Sequence, residues 1–325
     1  MVKAIRVHET GGPDVMKWED VSLADPAAGE ARIRHTAVGL NYIDTYFRSG
    51  LYPSPVGLPF TPGNEGAGIV EAVGEGVTTV AVGDRVAYAG PLGSYSQARN
   101  LDASRLVKIP DGISDETAAA MMLKGMTARY LLRQTFRIEP GHTVLFHAAA
   151  GGVGLIAGQW AKHLGVRIIG TAGSPEKVAL AKANGYSEVI NYRTENFVER
   201  VKELTDGKGV DVVYDSVGKD TFPGSLDCLK PLGMWASFGQ SSGPLPEINL
   251  GILSQKGSLF ATRPTLFTYV AERAALEETA NDLFDVVRSG AVNIAVNQTF
   301  PLSEAVAAHK ALEGRRTTGS TVLLP

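Results

Sequence analysis

The chain has 325 residues, 44% of them hydrophobic, enough to bury a large core and to form two domains. Its 31 Lys and Arg against 34 Asp and Glu leave a formal charge of −3, spread without single-sign blocks. Neither nucleic acid nor an anionic membrane surface is therefore an expected partner, and the single cysteine, Cys228, excludes an internal disulfide or a multi-thiolate metal site.

The opening residues, MVKAIRVHET, carry no apolar signal core. No charge-free run of about eighteen apolar residues follows, so a soluble, cytoplasmic protein is expected. Residues 1–123 read as strands and turns. VKAIRVH, ARIRHTAVG, AGIVEAVG and DRVAYA are separated by GGPD, PAAGE, EGV and VGD, a series that suggests a compact β-barrel-like domain.

From about Lys124 the texture changes. GMTARYLLRQTFRI is a helix candidate that Pro140-Gly141 stops, and HTVLFHAA (142–149) is a continuous apolar run, the pattern of a buried strand. Val153, Ile156, Ala157, Trp160, Ala161 and Leu164 then recur on one face of a helix. VRIIGT is the next strand, PEKVALAKAN the next helix with Gly185 as its stop, and SEVINY, VDVVYDS and MWASFG continue as strands. Such alternation predicts a parallel, doubly wound sheet. The amphipathic stretch TYVAERAALEETANDLFDVVRSG follows, and GRRTTGSTVLLP ends in a strand able to return to the first domain.

Between the first of these strands and its helix the chain reads Ala149-x-Gly151-x-x-Gly154, a dinucleotide fingerprint whose first glycine is replaced by alanine. Gly151 lets backbone approach a pyrophosphate, Gly154 lets the helix pack closely, and the helix start favours the anion. The alanine implies a first turn that does not need a glycine-only conformation. A glycine turn used only for packing is the plain alternative, and the position between strand and helix favours the cofactor.

About twenty residues further on, an NAD site places an acid on the ribose hydroxyl. Here TAGSPEK puts Gly173 and Ser174 in that place. Ser174 and Pro175 read as N-cap and N1, so Lys177 falls in the first helical turn, where a cation opposes the helix dipole unless an anion binds beside it. A 2′-phosphate would suit Lys177 and Ser174, so NADPH is favoured over NADH, with Tyr192 as a partner for the adenosine end. Glu176 opposes that anion unless it turns away.

The six histidines are dispersed with no HxxxH pair, and no metal site is expected. His147 reads as a satisfied core histidine, His35 and His163 as structural or surface residues, and Cys228 as packing. No GxSxG elbow occurs. Hydride chemistry, which the cofactor supplies and the protein orients, fits best.

Several segments together carry a resemblance: NYIDTYFRSGLYP (41–53), PGNEGAGIVEAVGEGV (62–77), GDRVAY (83–88), LKGMTARYLL (123–132), HAAAGGVGLIAGQWAK (147–162), INYR (190–193), VVYDSVG (212–218) and SFGQSSG (237–243). In this order they resemble the zinc-free quinone oxidoreductases of the medium-chain dehydrogenase/reductase superfamily, the relatives of zeta-crystallin. Where zinc alcohol dehydrogenases carry a Cys and a GHE motif, this chain has Asn41 and Gly63-Asn64-Glu65, and the four-cysteine lobe is absent.

The resemblance implies an α/β fold in which a Rossmann doubly wound parallel sheet domain (124–266) is inserted into a GroES-like β-barrel domain (1–123, completed by 267–325). It implies NADPH contacts at Asn41, Thr127, Ala150, Gly151, Gly152, Val153, Gly173, Ser174, Lys177, Tyr192, Phe238, Gly239, Gln240, Ser241 and Arg315, with Arg316 a competitor for the last. Asn41, Tyr46 and Tyr52 match cleft positions beside nicotinamide and substrate. The alternatives are a turn residue at Asn41 and core-covering rings at the two tyrosines. A homodimer joined along LFATRP (259–264) is also implied. The expected activity is hydride transfer from NADPH to a quinone or related conjugated carbonyl without zinc. An enone or alkenal double-bond reductase, or a low-turnover NADPH-binding protein with a structural or RNA-binding role, are the rivals.

Overall fold

The computed structural model describes all 325 residues, and the chain divides into two units. The first comprises Met1–Lys124, Val270–Phe284 and Ile294–Pro325; the second comprises Gly125–Tyr269 and Asp285–Asn293.

In the first unit the long strand Glu30–Leu40 is the organising element. It pairs antiparallel with Glu65–Val73, Ala98–Asp102 and the C-terminal strand Ser320–Leu324. The seven-stranded sheet continues outward through Arg85–Ala89 and Val107–Lys108 on one side and Val296–Pro301 on the other. A separate ribbon joins Val2–Val7 to Met16–Val21. Ile33, Val70, Val86, Tyr88 and Leu106 fill one core; Ile5, Val38, Leu40, Phe60, Tyr95 and Leu323 fill a second. Alternation along the strands sends these side chains to the buried faces.

Two helices in this part depart from the strand-and-turn expectation. Tyr42–Ser49 is one of them. Its β-favouring Tyr, Ile, Thr and Phe hide a short helix, yet its stop is local: Gly50 takes the left-handed conformation at φ 83°. The other, Asp115–Tyr130, begins ten residues before the expected start at Gly125. Ala118 to Met122 are all fully buried, and a helix buried all round shows no amphipathic period to read. It runs on into a π-helical turn, Leu131–Thr135.

The second unit holds a six-stranded parallel sheet. Its order is Glu188–Asn191, Arg167–Ala172, Thr143–Phe146, Val210–Asp215, Leu229–Ser237, Phe260–Thr262. Numbered along the chain this is 3-2-1-4-5-6, the doubly wound order whose direction reverses between the first and fourth strands. Those two strands are almost wholly buried, as continuous apolar character predicts for parallel sheets. Residues 285–293 fall in this unit, outside the 124–266 expected for it. The cause is local: Gln159 Nε2 donates to the Asn293 carbonyl (3.1 Å), and the Asn293 N–H donates to Gln159 Oε1 (2.8 Å).

Candidate active site

The nucleotide half is built at the C-terminal edge of the parallel sheet, where ligands meet such folds. Strand Thr143–Phe146 leads through Ala148–Gly151 into helix Gly152–His163. Gly151 is the N-cap and makes no side-chain capping bond, so the first helical amides, at Gly152, Val153 and Gly154, have no partner within the helix. Ala150 is buried beneath them, and a Cβ on Gly154 would strike the Ala149 carbonyl oxygen at 2.6 Å. The helix start offers backbone N–H groups that no side chain caps, which fits a pyrophosphate.

Ala149 has no positive φ, as its place at the first glycine position implies, and the left-handed residue is its neighbour Ala148, at φ 56°. The strain sits on a non-glycine residue, an arrangement that costs about 1–2 kcal/mol and persists where surrounding bonds fix it. Three such bonds flank it: His147 N–H to Tyr214 O, Ala149 N–H to Thr171 O, and Gly151 N–H to Ala148 O.

Along the same edge, strand Arg167–Ala172 ends at Gly173, and Tyr192 follows the neighbouring strand, its N–H bonded to the Ala172 carbonyl. A Cβ on Gly173 would collide with the Tyr192 hydroxyl, so glycine here is what lets the two approach. Ser174 caps helix Pro175–Ala183: its Oγ accepts from the Lys177 N–H at 3.3 Å, with Pro175 at N1. The Ser174 side chain, and then Glu176's own N–H, hold the Glu176 carboxyl below the usual carboxylate range.

The loop Phe238–Ser241 follows the fifth strand. The N–H groups of Phe238 and Gly239 donate to the Asp215 carbonyl and that of Ser241 to the Ser216 carbonyl, and a Cβ on Gly239 would meet Ser216 O at 2.6 Å. Arg263 Nη1 clamps the loop by donating to the carbonyls of Ser237 (2.9 Å) and Gly239 (2.7 Å). Gln240 lies in the same loop, and Thr127 is a buried residue of helix Asp115–Tyr130. His147 is the satisfied core histidine expected, bonded to Thr171 and Ser225 hydroxyls while burial lowers its pKa.

The first unit carries Asn41, Tyr46, Tyr52 and Arg315. Asn41 is the N-cap of helix Tyr42–Ser49, its N–H bonded to Asp44 Oδ2 at 2.9 Å. Tyr46 and Tyr52 pack edge to face at 5.1 Å, and the Tyr52 N–H donates to the Tyr46 carbonyl. Of the paired arginines, Arg315 acts on the Tyr42 phenol, whose pKa burial raises and the Arg315 charge lowers. Arg315 is itself left-handed at φ 58°.

Sequence reasoning missed the polar cluster behind Asn41. Glu65 Oε1 accepts from Lys124 Nζ (2.6 Å) and Asn41 Nδ2 (2.7 Å), while Oε2 accepts from the Leu123 N–H (2.7 Å). A second chain starts at Arg48, whose guanidinium forks onto Glu313 (2.7 and 3.0 Å) and donates to His309 Nδ1 at 2.9 Å. Arginine only donates, so His309 Nδ1 is the acceptor and Nε2 carries the proton. Nε2 then donates to Tyr95 Oη (3.0 Å), and Tyr95 donates to Asp44 Oδ2 (2.9 Å). Burial, then the Arg48 charge, lowers His309 to about 3. Burial raises Asp44 to about 7 despite its two hydrogen bonds, and its Oδ1 has no partner. No three His, Cys, Asp or Glu side chains are grouped so as to hold a metal.

A glycine cradle at the switch point of a 3-2-1-4-5-6 sheet, in a chain whose other unit is a largely antiparallel β structure, defines a medium-chain dehydrogenase/reductase. Residues 27–111 match the alcohol dehydrogenase GroES-like domain, and residues 152–285 match the zinc-binding dehydrogenase domain of that superfamily. The chain is 58% identical to a quinone oxidoreductase of Pseudomonas aeruginosa, and 52% identical to quinone oxidoreductase 1 of Escherichia coli, each over the full length of both chains. It therefore belongs to the zinc-free quinone oxidoreductase family. Among solved structures, the E. coli quinone oxidoreductase complexed with NADPH superposes with a TM-score of 0.98 at 51% identity, covering 99% of this chain and 100% of that one. A 2-haloacrylate reductase of Burkholderia is 50% identical over 100% of this chain and 99% of its own. No helix is long and apolar enough to cross a membrane.

Proposed function

We propose that the chain is an NADPH-dependent oxidoreductase that reduces quinones or related conjugated carbonyls. The observation that carries this reading is the uncapped glycine-rich helix start at Ala148–Gly154, continued along the same sheet edge by Gly173, Ser174 and Lys177. Relatives called quinone oxidoreductases support it, one of them solved with NADPH.

NADPH supplies the hydride. The amides of Gly152, Val153 and Gly154 receive the pyrophosphate, and Ser174 and Lys177 receive the 2′-phosphate beside Tyr192. Thr127, the Phe238–Ser241 loop, Asn41 and Arg315 complete the cofactor contacts. A hydroxyl of Tyr46 or Tyr52, or water, hydrogen-bonds the acceptor oxygen and delivers the proton that accompanies hydride in forming the hydroquinone. A conjugated acceptor spreads the arriving charge and needs less Lewis-acid help than an isolated ketone, which suits a site without zinc. The protein works in the cytoplasm as a homodimer joined along the edge strand Phe260–Thr262, which pairs on one side only.

The second reading, an enone-type double-bond reductase, is favoured by the likeness to 2-haloacrylate reductase. Initial rates with 1,4-benzoquinones and small enones, under NADPH and NADH, decide between them. Oxidation of neither cofactor by any acceptor would refute both.

A further inference from the structure

Two buried side chains of the first unit, with one backbone N–H, converge on one carboxylate. Glu65 is fully buried and Lys124 and Asn41 are each 6% exposed. A Cβ on Gly39 would collide with Glu65 Oε1 and the Ala119 carbonyl, so glycine at 39 is what leaves room for the carboxylate. A buried ion pair is by itself weak evidence for stability, since apolar residues of similar volume often serve as well. What this pair does is fix the Asn41 amide. With Nδ2 donating to Glu65 Oε1 at 2.7 Å, turning the amide over would set Oδ1 against the same carboxylate oxygen, acceptor against acceptor. Oδ1 has two lone pairs: one takes part in the capping box with the Asp44 N–H, and the other is the acceptor that Asn41 has left to offer.

We propose that Glu65 and Lys124 are positioning residues that hold Asn41 Oδ1 as a hydrogen-bond acceptor for an O–H or N–H donor on the nicotinamide half of NADPH, a ribose hydroxyl or the carboxamide. The inference rests on the NADPH reading above. It also narrows the role of Asn41. A quinone oxygen is itself an acceptor, so Oδ1 cannot polarise it, and Asn41 orients the cofactor while hydroxyl donors act on the substrate.

The test is NADPH affinity, measured by fluorescence titration in the full chain, with thermal melting alongside. E65Q places an amide where three donors converge and lets Asn41 turn over. N41D sets two carboxylates against each other. N41D/E65Q exchanges carboxylate and amide, leaves Lys124 to pair with the carboxylate at position 41 in place of residue 65, and again presents an oxygen acceptor at position 41. Each single variant should weaken NADPH about tenfold or more, about 1.4 kcal/mol, and the double variant should return to within about threefold of wild type. Wild-type affinity in E65Q, or a double variant no tighter than either single, would overturn the inference. If a single variant fails to fold, the double variant decides. Failure of the wild-type chain to bind NADPH would overturn the functional reading instead, and this inference with it.

Discussion

Asp44 should make the fold's stability depend on pH in a direction opposite to that of most carboxylates. It is wholly buried, accepts two hydrogen bonds through Oδ2, and keeps Oδ1 without a partner. Burial raises its pKa from 3.8 to about 7. Between these values the folded chain binds the proton more tightly than the unfolded chain, so the contribution is full below 3.8 and is lost as pH rises through about 7. At about 1.4 kcal/mol per pH unit the whole span amounts to roughly 4 kcal/mol. His309, lowered to about 3, and His35, lowered to about 4 chiefly by burial, act in the other direction: their contributions are lost as pH falls below 6.5. In the wild-type chain these slopes offset one another, and an Asp44→Asn difference isolates the carboxylate. The amide can still accept from Asn41 N–H and Tyr95 and does not ionise. Urea unfolding of both proteins from pH 5 to pH 8 should show the variant gaining on wild type by about 1 kcal/mol per pH unit up to about pH 7 and levelling off above it. A stability difference that stays constant across that range would refute the assignment of a raised pKa to this residue.

At the adenosine end, Lys177→Ala should weaken NADPH by about 10- to 150-fold, the scale of a charge-assisted hydrogen bond, and leave NADH within a few-fold; equal losses in titrations of both cofactors would remove the 2′-phosphate from this seat. Glu176 engages the Ser174 hydroxyl that the phosphate also needs. Glu176→Gln should therefore tighten NADPH by about two- to fivefold at low salt, with the gain shrinking as ionic strength rises. Tyr46→Phe with Tyr52→Phe should lower turnover of a benzoquinone by about a hundredfold or more while NADPH affinity stays within a few-fold; unchanged turnover would take both hydroxyls out of the proton transfer.

What the sequence makes legible follows how far apart the cooperating residues lie. The nucleotide loop, the Ser174 cap with Pro175 at N1, and the strand–helix alternation are fixed by neighbours a few positions away, and the structure holds them where the pattern puts them. The left-handed residue beside the loop was harder, because Ala148 has the side chain of an ordinary turn and its conformation is imposed by bonds to Tyr214 and Thr171. Helix Asp115–Tyr130 gave no period because it has almost no solvent face in its middle turns.

The cluster behind Asn41 joins residues 24 to 59 positions apart, and the Arg48 chain joins residues 261 and 265 apart, beyond the reach of any local rule. It left one physical trace. Lys124 stands alone in the run AAAMMLKGM, and Glu65 stands alone in GNEGAG. A charge inside an otherwise apolar segment that is bound to be buried needs an opposite charge or a full set of hydrogen bonds, because desolvating it unpaired costs several kcal/mol. Two such charges of opposite sign therefore point to each other. Since apolar residues would fill the same space as well, the reason to keep the pair lies in the third group it holds: the amide of Asn41, turned so that its oxygen faces whatever donor arrives.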